Sequence, residues 1–114
     1  MPVTRALRRA AGEAGRRIGG AARVAAGRRS ARAKRRDAVV GALERHGYEP
    51  HLRGGEVVLT NCPFHALAEQ HRDLVCGMNL ELLNGLIEGA DGADVLEARL
   101  APQPGYCCVR MTAS

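Results

Sequence analysis

The residues with the most chemistry in this 114-residue chain are its four cysteines and two of its four histidines. Cys62, His65, His71 and Cys76 fall within "LTNCPFHALAEQHRDLVC", residues 59–76, and Cys107 and Cys108 are adjacent in "GYCCVRM", residues 105–111. A thiolate is a nucleophile and a ligand for soft metal ions, so three roles are open: a disulfide, inert core packing, or a metal or cluster site. The spacing is not the paired CxxC of a zinc ribbon. Each cysteine alone reads as a small buried hydrophobe; the set argues for chemistry, with Cys62 followed by Pro63 where two elements meet. His65, three residues after Cys62, and His71, five before Cys76, are within reach of a shared ion. His46 and His51 flank a helix end and a hairpin and read as structural or solvated side chains.

Other reactive constellations are missing. No Ser/His/Asp arrangement, phosphate-binding glycine loop or carboxylate pair marks the sequence. Thiol redox catalysis at Cys107 and Cys108 is a poor fit, because adjacent residues hold their sulfurs badly for a bridge and there is no CxxC. The expectation is a protein that binds rather than catalyses.

Eight elements position these residues. Residues 4–27 carry a thin apolar stripe at helical spacing (Leu7, Ala11, Ala14, Ile18, Ala22, Ala25), weakened by glycines that each cost about 1 kcal/mol against Ala. This predicts a helix that docks on something else or frays. A firmer helix runs from about Ala31 to His46, with Ser30 as N-cap and Gly47 ending it. "HLRGGEVVLTNC" predicts a hairpin turning at Gly54-Gly55. Pro63 opens a helix carrying Phe64, Leu67, Ala68 and His71, and "LVCGMNLELLNGLIEGA" continues with a wide apolar face. "VLEARLA", the turn "PQPG" and "YCCVRMT" form a second hairpin. The order α-α-β-β-α-α-β-β predicts an α+β fold of two layers, with helices packed on one face of a four-stranded, mostly antiparallel sheet.

In this arrangement Cys62 lies at a strand-to-helix junction, where free backbone N–H groups stabilise a thiolate. Cys76 shares a helix face with Leu80, Leu83 and Ile87. The strand pleat groups Cys107 with Val109 and Met111, predicting that Cys107 points inward with Cys62 and Cys76 while Cys108 points away.

Charge divides the chain. Residues 1–36 hold 12 of the 17 Lys and Arg with Glu13 as the lone acid, whereas residues 37–114 carry a net charge of −6. The expected organisation is a basic Arg/Ala-rich helical linker over 1–36 and a cysteine-containing α+β domain over 37–114. No stretch approaches the roughly 20 apolar residues of a membrane span, and the first residues lack the apolar core of a secretory signal. A cytoplasmic, reducing compartment is therefore expected, where thiols act as ligands more often than as disulfides.

"NCPFHALAEQHRDLVCGMNLELLNGLIEG" followed by "GYCCVRM" resembles the C-terminal sensor domain of bacterial winged-helix transcriptional regulators, including the ArsR-like iron–sulfur assembly repressors. The resemblance covers roughly residues 37–112. It implies an iron–sulfur cluster, or zinc or another thiophilic metal, on Cys62, Cys76 and Cys107, with the remaining ligand open between His65, Cys108, an exogenous thiol and solvent. The family's aromatic residue on the last strand is Val109 here, Cys108 is additional, and both spacings run slightly long. The resemblance also implies a homodimer that controls transcription and meets DNA through a winged helix, which residues 1–36 are too short to supply. The competing expectation is a small basic protein that binds nucleic acid non-specifically through its Arg-rich segment.

Overall fold

The computed structural model describes residues 2–27, 31–103 and 106–113. Ser30 and the last two residues of the "PQPG" turn lie outside the described residues. Eight elements follow in the expected order: α1 (Pro2–Ala26), α2 (Arg32–Arg45), β1 (Pro50–Arg53), β2 (Glu56–Leu59), α3 (His65–Gln70), α4 (Arg72–Gly89), β3 (Leu96–Leu100) and β4 (Val109–Ala113). The strands form one antiparallel sheet in the order β1-β2-β4-β3, which gives the α+β architecture read from the sequence.

Turn chemistry explains the joints. Gly54 and Gly55, with φ of 58° and 86°, form the two-residue connection between β1 and β2 that the sheet twist requires. α2 ends where Gly47 adopts φ 92°: the Tyr48 N–H donates to the Leu43 carbonyl at 3.0 Å and the Gly47 N–H to Glu44 at 3.3 Å. This double bond pattern satisfies carbonyls the helix leaves free and turns Tyr48 into the core.

The inner sheet face is apolar and the outer face charged, the pattern of a sheet solvated on one side. Val57, Met111 and Ala98 align across β2, β4 and β3 and are buried. They join Leu83, Leu86 and Ile87 of α4 and Val39 and Leu43 of α2 in a single cluster. On β2 and β4, Glu56 Oε2 accepts two hydrogen bonds from Arg110, at 3.0 and 2.7 Å.

α1 packs along α4, and the two helices run parallel. Two of the glycines that weaken α1 as a helix, Gly15 and Gly19, are residues that allow this approach. An ideal Cβ built on Gly15 would fall on the Leu82 carbonyl oxygen, and one on Gly19 on that of Leu86. From the other side, Gly85 faces the Gly12 carbonyl and Gly89 that of Arg16. Gly15 and Gly19 together cost about 2 kcal/mol in helix propensity, a cost offset by backbone-to-backbone packing no larger residue permits. Ala22 of α1 enters the main core cluster. The charge boundary between residues 36 and 37 falls inside α2.

Two arginines of α2 hold the turn after α4. Arg32 Nη2 donates to the Asp94 carbonyl at 2.7 Å, and Arg35 Nη1 donates to the Asp91 carbonyl at 2.8 Å and to Asp94 Oδ1 at 2.5 Å. The Asp94 carboxyl is held below its ordinary range chiefly by that Arg35 hydrogen bond.

Replacing Gly15 by Ala is expected to destabilise the fold by roughly 1–3 kcal/mol, because the new methyl meets backbone rather than a movable side chain. Gly20→Ala, where the Cβ meets nothing within 4 Å, is expected to stabilise by up to about 1 kcal/mol. Paired thermal melts of the two variants check this opposite response.

Candidate functional site

The four cysteines come from three separate segments and line one cavity of about 340 Å³, together with His65 and Arg72. Cys62 follows β2, where the chain turns: the His65 N–H donates to the Cys62 carbonyl at 3.0 Å, and α3 begins only at His65, two residues later than the Pro63 start expected. The cause is that Pro63 and Phe64 complete this turn instead of the first helical turn. Cys76 lies early in α4 and is buried on its apolar side. Cys107 and Cys108 precede β4, with the Cys107 N–H bonded to the Leu59 carbonyl at 2.9 Å and the Cys108 carbonyl accepting from Ala101 at 2.8 Å.

The orientation expected for Cys108 is corrected here. It does not point away from the other sulfurs but bonds to Cys76, with the Cα atoms 6.1 Å apart. Strict alternation of side chains holds only along a regular strand, and the regular pairing of β4 starts at Val109 opposite Leu100. Cys107 and Cys108 sit in a bend before that point, so both sulfurs reach the cavity. Cys62 and Cys107 remain free thiols.

The residue that organises the free pair is Asn79, which is 0% exposed. Its Nδ2 donates to Cys107 Sγ at 3.3 Å and more distantly to Cys62 Sγ at 3.8 Å, while its Oδ1 accepts from the buried Tyr48 hydroxyl at 2.5 Å. One amide therefore links the end of α2, the turn after β2 and the entry to β4. Neither Asn79 nor Tyr48 belongs to a motif that marks it in the sequence. The available signal was the helical register: Asn79 lies three residues after Cys76 and four before Leu83, placing a polar side chain on the apolar face.

These contacts separate the two thiols electrostatically. The hydrogen bond from the Cys107 thiol leads the effects that lower Cys62 to about 6; burial opposes it, and the Phe64 N–H and the neighbouring His65 add to it. Cys107 is pushed far up, by that same hydrogen bond and then by burial. Tyr48 is also raised, mainly by burial, with the negative charge of the Cys62 thiolate adding to it. The pair thus shares one proton, held on Cys107.

The histidines contribute less. His65 is at the cavity rim, its side chain 75% exposed and Nε2 placed 3.0 Å from Glu69 Oε1 one helical turn on. His71 is exposed at the joint of α3 and α4, His46 is exposed at the end of α2, and His51 Nε2 lies 2.9 Å from Thr60 Oγ1. Among the described residues, no group of three or more His, Cys, Asp or Glu side chains is placed to hold a metal ion. The chemistry of the donor set supplies the reason: Cys76 and Cys108 are bonded to each other, which leaves Cys62 and Cys107 as the free sulfurs.

The fold and cavity define an α+β domain with a four-sulfur site. No protein-family model, curated protein or solved structure matches the chain. Among the described residues, no helix is long and apolar enough to cross a membrane.

Alkylation of Cys62 is expected to show a pH midpoint near 6, and Cys107→Ala is expected to move it upward by removing the hydrogen-bond donor. Between about 6 and the ordinary thiol value of 9.0 the unfolded chain holds a proton that the folded Cys62 has released, so stability rises with pH across that window. Urea melts between these pH values, compared with those of Cys62→Ser, check the sign. Asn79→Ala leaves the buried Tyr48 hydroxyl without its acceptor and is expected to cost about 1–3 kcal/mol in the same assay.

Proposed function

We propose that this chain is the ligand-sensing part of a bacterial transcriptional regulator, whose cysteines hold an iron–sulfur cluster or a thiophilic metal such as zinc when all four are reduced. The observation that carries this reading is the meeting of four sulfurs from three distant segments on one cavity. The sequence resemblance over residues 37–112 supports the regulatory context. In the disulfide form the donors do not fit such a group, since two free sulfurs are too few for the four-coordinate sites thiophilic ions prefer. Bound, the group would supply a soft cation that attracts thiolate sulfur.

The chain's own residues do the rest. Asn79 orients Cys62 and Cys107 by donating toward their sulfurs, and Tyr48 fixes which way that amide faces. Leu59 and Val109 are buried beside the cysteine-bearing segments. α4 carries Cys76 and Asn79 near its start and Gly85 and Gly89 near its end, so a shift at the sulfurs is felt by α1 through the close glycine contact. In this reading α1 passes the signal onward in a homodimer, DNA is met through a winged helix beyond residues 1–114, the role is non-catalytic and the compartment is cytoplasmic. A disulfide there is transient and sensory rather than structural.

A second reading rests on α1. Arg5, Arg8, Arg9, Arg16, Arg17 and Arg23 are exposed on that helix, with Glu13 the acid among them, which suits non-specific contact with nucleic-acid phosphates. Arg32 and Arg35 are not part of this surface, being committed to the turn after α4.

Protein purified and reduced without oxygen, then given ferrous iron and sulfide or zinc, is expected to bind about one cluster or ion per chain, with loss in Cys62→Ser; elemental analysis and visible absorption check this. Under the second reading, affinity for arbitrary duplex falls with added salt with a log–log slope of about −0.9 per phosphate contacted, and disappears when the six α1 arginines become glutamine.

A further inference from the structure

We propose that the Cys76–Cys108 bond is a redox lock on the sulfur site, and that Cys108 is the fourth sulfur the site uses once the lock is opened. The inference rests on the metal-sensing reading above and specifies its ligand set and its regulation. The site contains four sulfurs, and the oxidised form withdraws two of them. Those two come from α4 and from the segment entering β4, whereas the free pair comes from the turn after β2 and from the same β4 entry. The lock therefore cross-links two of the three segments that a bound ion would join, while Asn79 keeps the third in place with the sulfurs of Cys62 and Cys107 facing each other.

Access also differs among the sulfurs. Cys76 and Cys107 are buried, and Cys62 and Cys108 are half-buried at the cavity that Arg72 and His65 line. An external dithiol reaches Cys108 first. Its thiolate attacks Cys108 Sγ, the Cys76–Cys108 bond breaks and the Cys76 thiolate leaves. The second thiol of the reductant then attacks the mixed disulfide and releases Cys108, so the reductant closes to its own disulfide. Two electrons and two protons pass from the dithiol to Cys76 and Cys108. A divalent ion that binds the four thiols displaces their protons. Oxidation by a small-molecule disulfide runs the exchange backward. The other groups at this cavity bear on the exchange as follows: His65 is paired with Glu69, and Arg72 offers a positive charge toward an incoming thiolate.

The test uses the full chain in two states: oxidised with glutathione disulfide, and reduced with dithiothreitol and desalted without oxygen. Zinc alone is the probe. Thiol counting after unfolding in denaturant is expected to find two thiols in the oxidised state and four in the reduced state, with peptide mapping placing the oxidised link between Cys76 and Cys108. Zinc is expected to bind only the reduced state. Cys108→Ser is expected to bind zinc at least about tenfold more weakly than reduced wild type and to lose the redox dependence altogether. Zinc binding of equal affinity in both states of the wild type overturns the lock while leaving the sensing reading intact, as does an oxidised link between Cys62 and Cys107. Absence of zinc or cluster binding in the fully reduced protein overturns both. Undiminished affinity in Cys108→Ser overturns the assignment of the fourth sulfur.

Discussion

The carboxamide of Asn79 is the interaction on which the site depends. A primary amide buried in an apolar core costs several kcal/mol unless its polar atoms are paired, and here both ends are: Oδ1 with the Tyr48 hydroxyl, Nδ2 toward the two free sulfurs. Because every partner comes from a different segment, the cost of breaking one contact falls on all. The same geometry explains why Cys62 and Cys107, chemically identical, end with opposite proton affinities: one accepts hydrogen bonds, the other donates one from a more buried position.

α4 is the member that turns this local constraint into an architecture. One of its sides supplies Leu83, Leu86 and Ile87 to the core cluster, its beginning supplies Cys76 to the cavity and Asn79 to the two free sulfurs, and its Gly85 and Gly89 admit the backbone of α1. Close glycine packing tolerates little sliding, since any register shift of α1 brings a side chain against backbone. A helix held in this way moves with its neighbour rather than over it.

The division of charge along the chain resolves into two kinds of arginine. Those of α1 face outward and have acids scarce around them. Arg32 and Arg35 of α2 instead donate to carbonyls and to Asp94 at the turn between α4 and β3, fastening that turn to the second helix. These bonds, made to fixed backbone acceptors, give geometry as well as charge, whereas a solvated arginine gives charge alone.

Helix and strand order, both glycine-dependent joints at Gly47 and Gly54-Gly55, and the apolar faces of α2 and α4 were legible in the sequence, because periodicity and turn preferences are local properties of the chain. So was the inward direction of Cys76, which follows from its register in α4; Cys107 also points inward, but from a bend before β4 where the pleat that suggested it does not apply. Tertiary structure alone decided three things. Gly15 and Gly19 of α1 read as defects in isolation and become contact surface only when α4 supplies a second backbone. Asn79 read as one polar residue in an apolar run until Tyr48 and the sulfurs were brought around it. Cys108 read as outward because a pleat alternates, and it joined Cys76 because the regular strand begins one residue later, at Val109. In each case the deciding partner lies far away along the chain, where no local pattern records it.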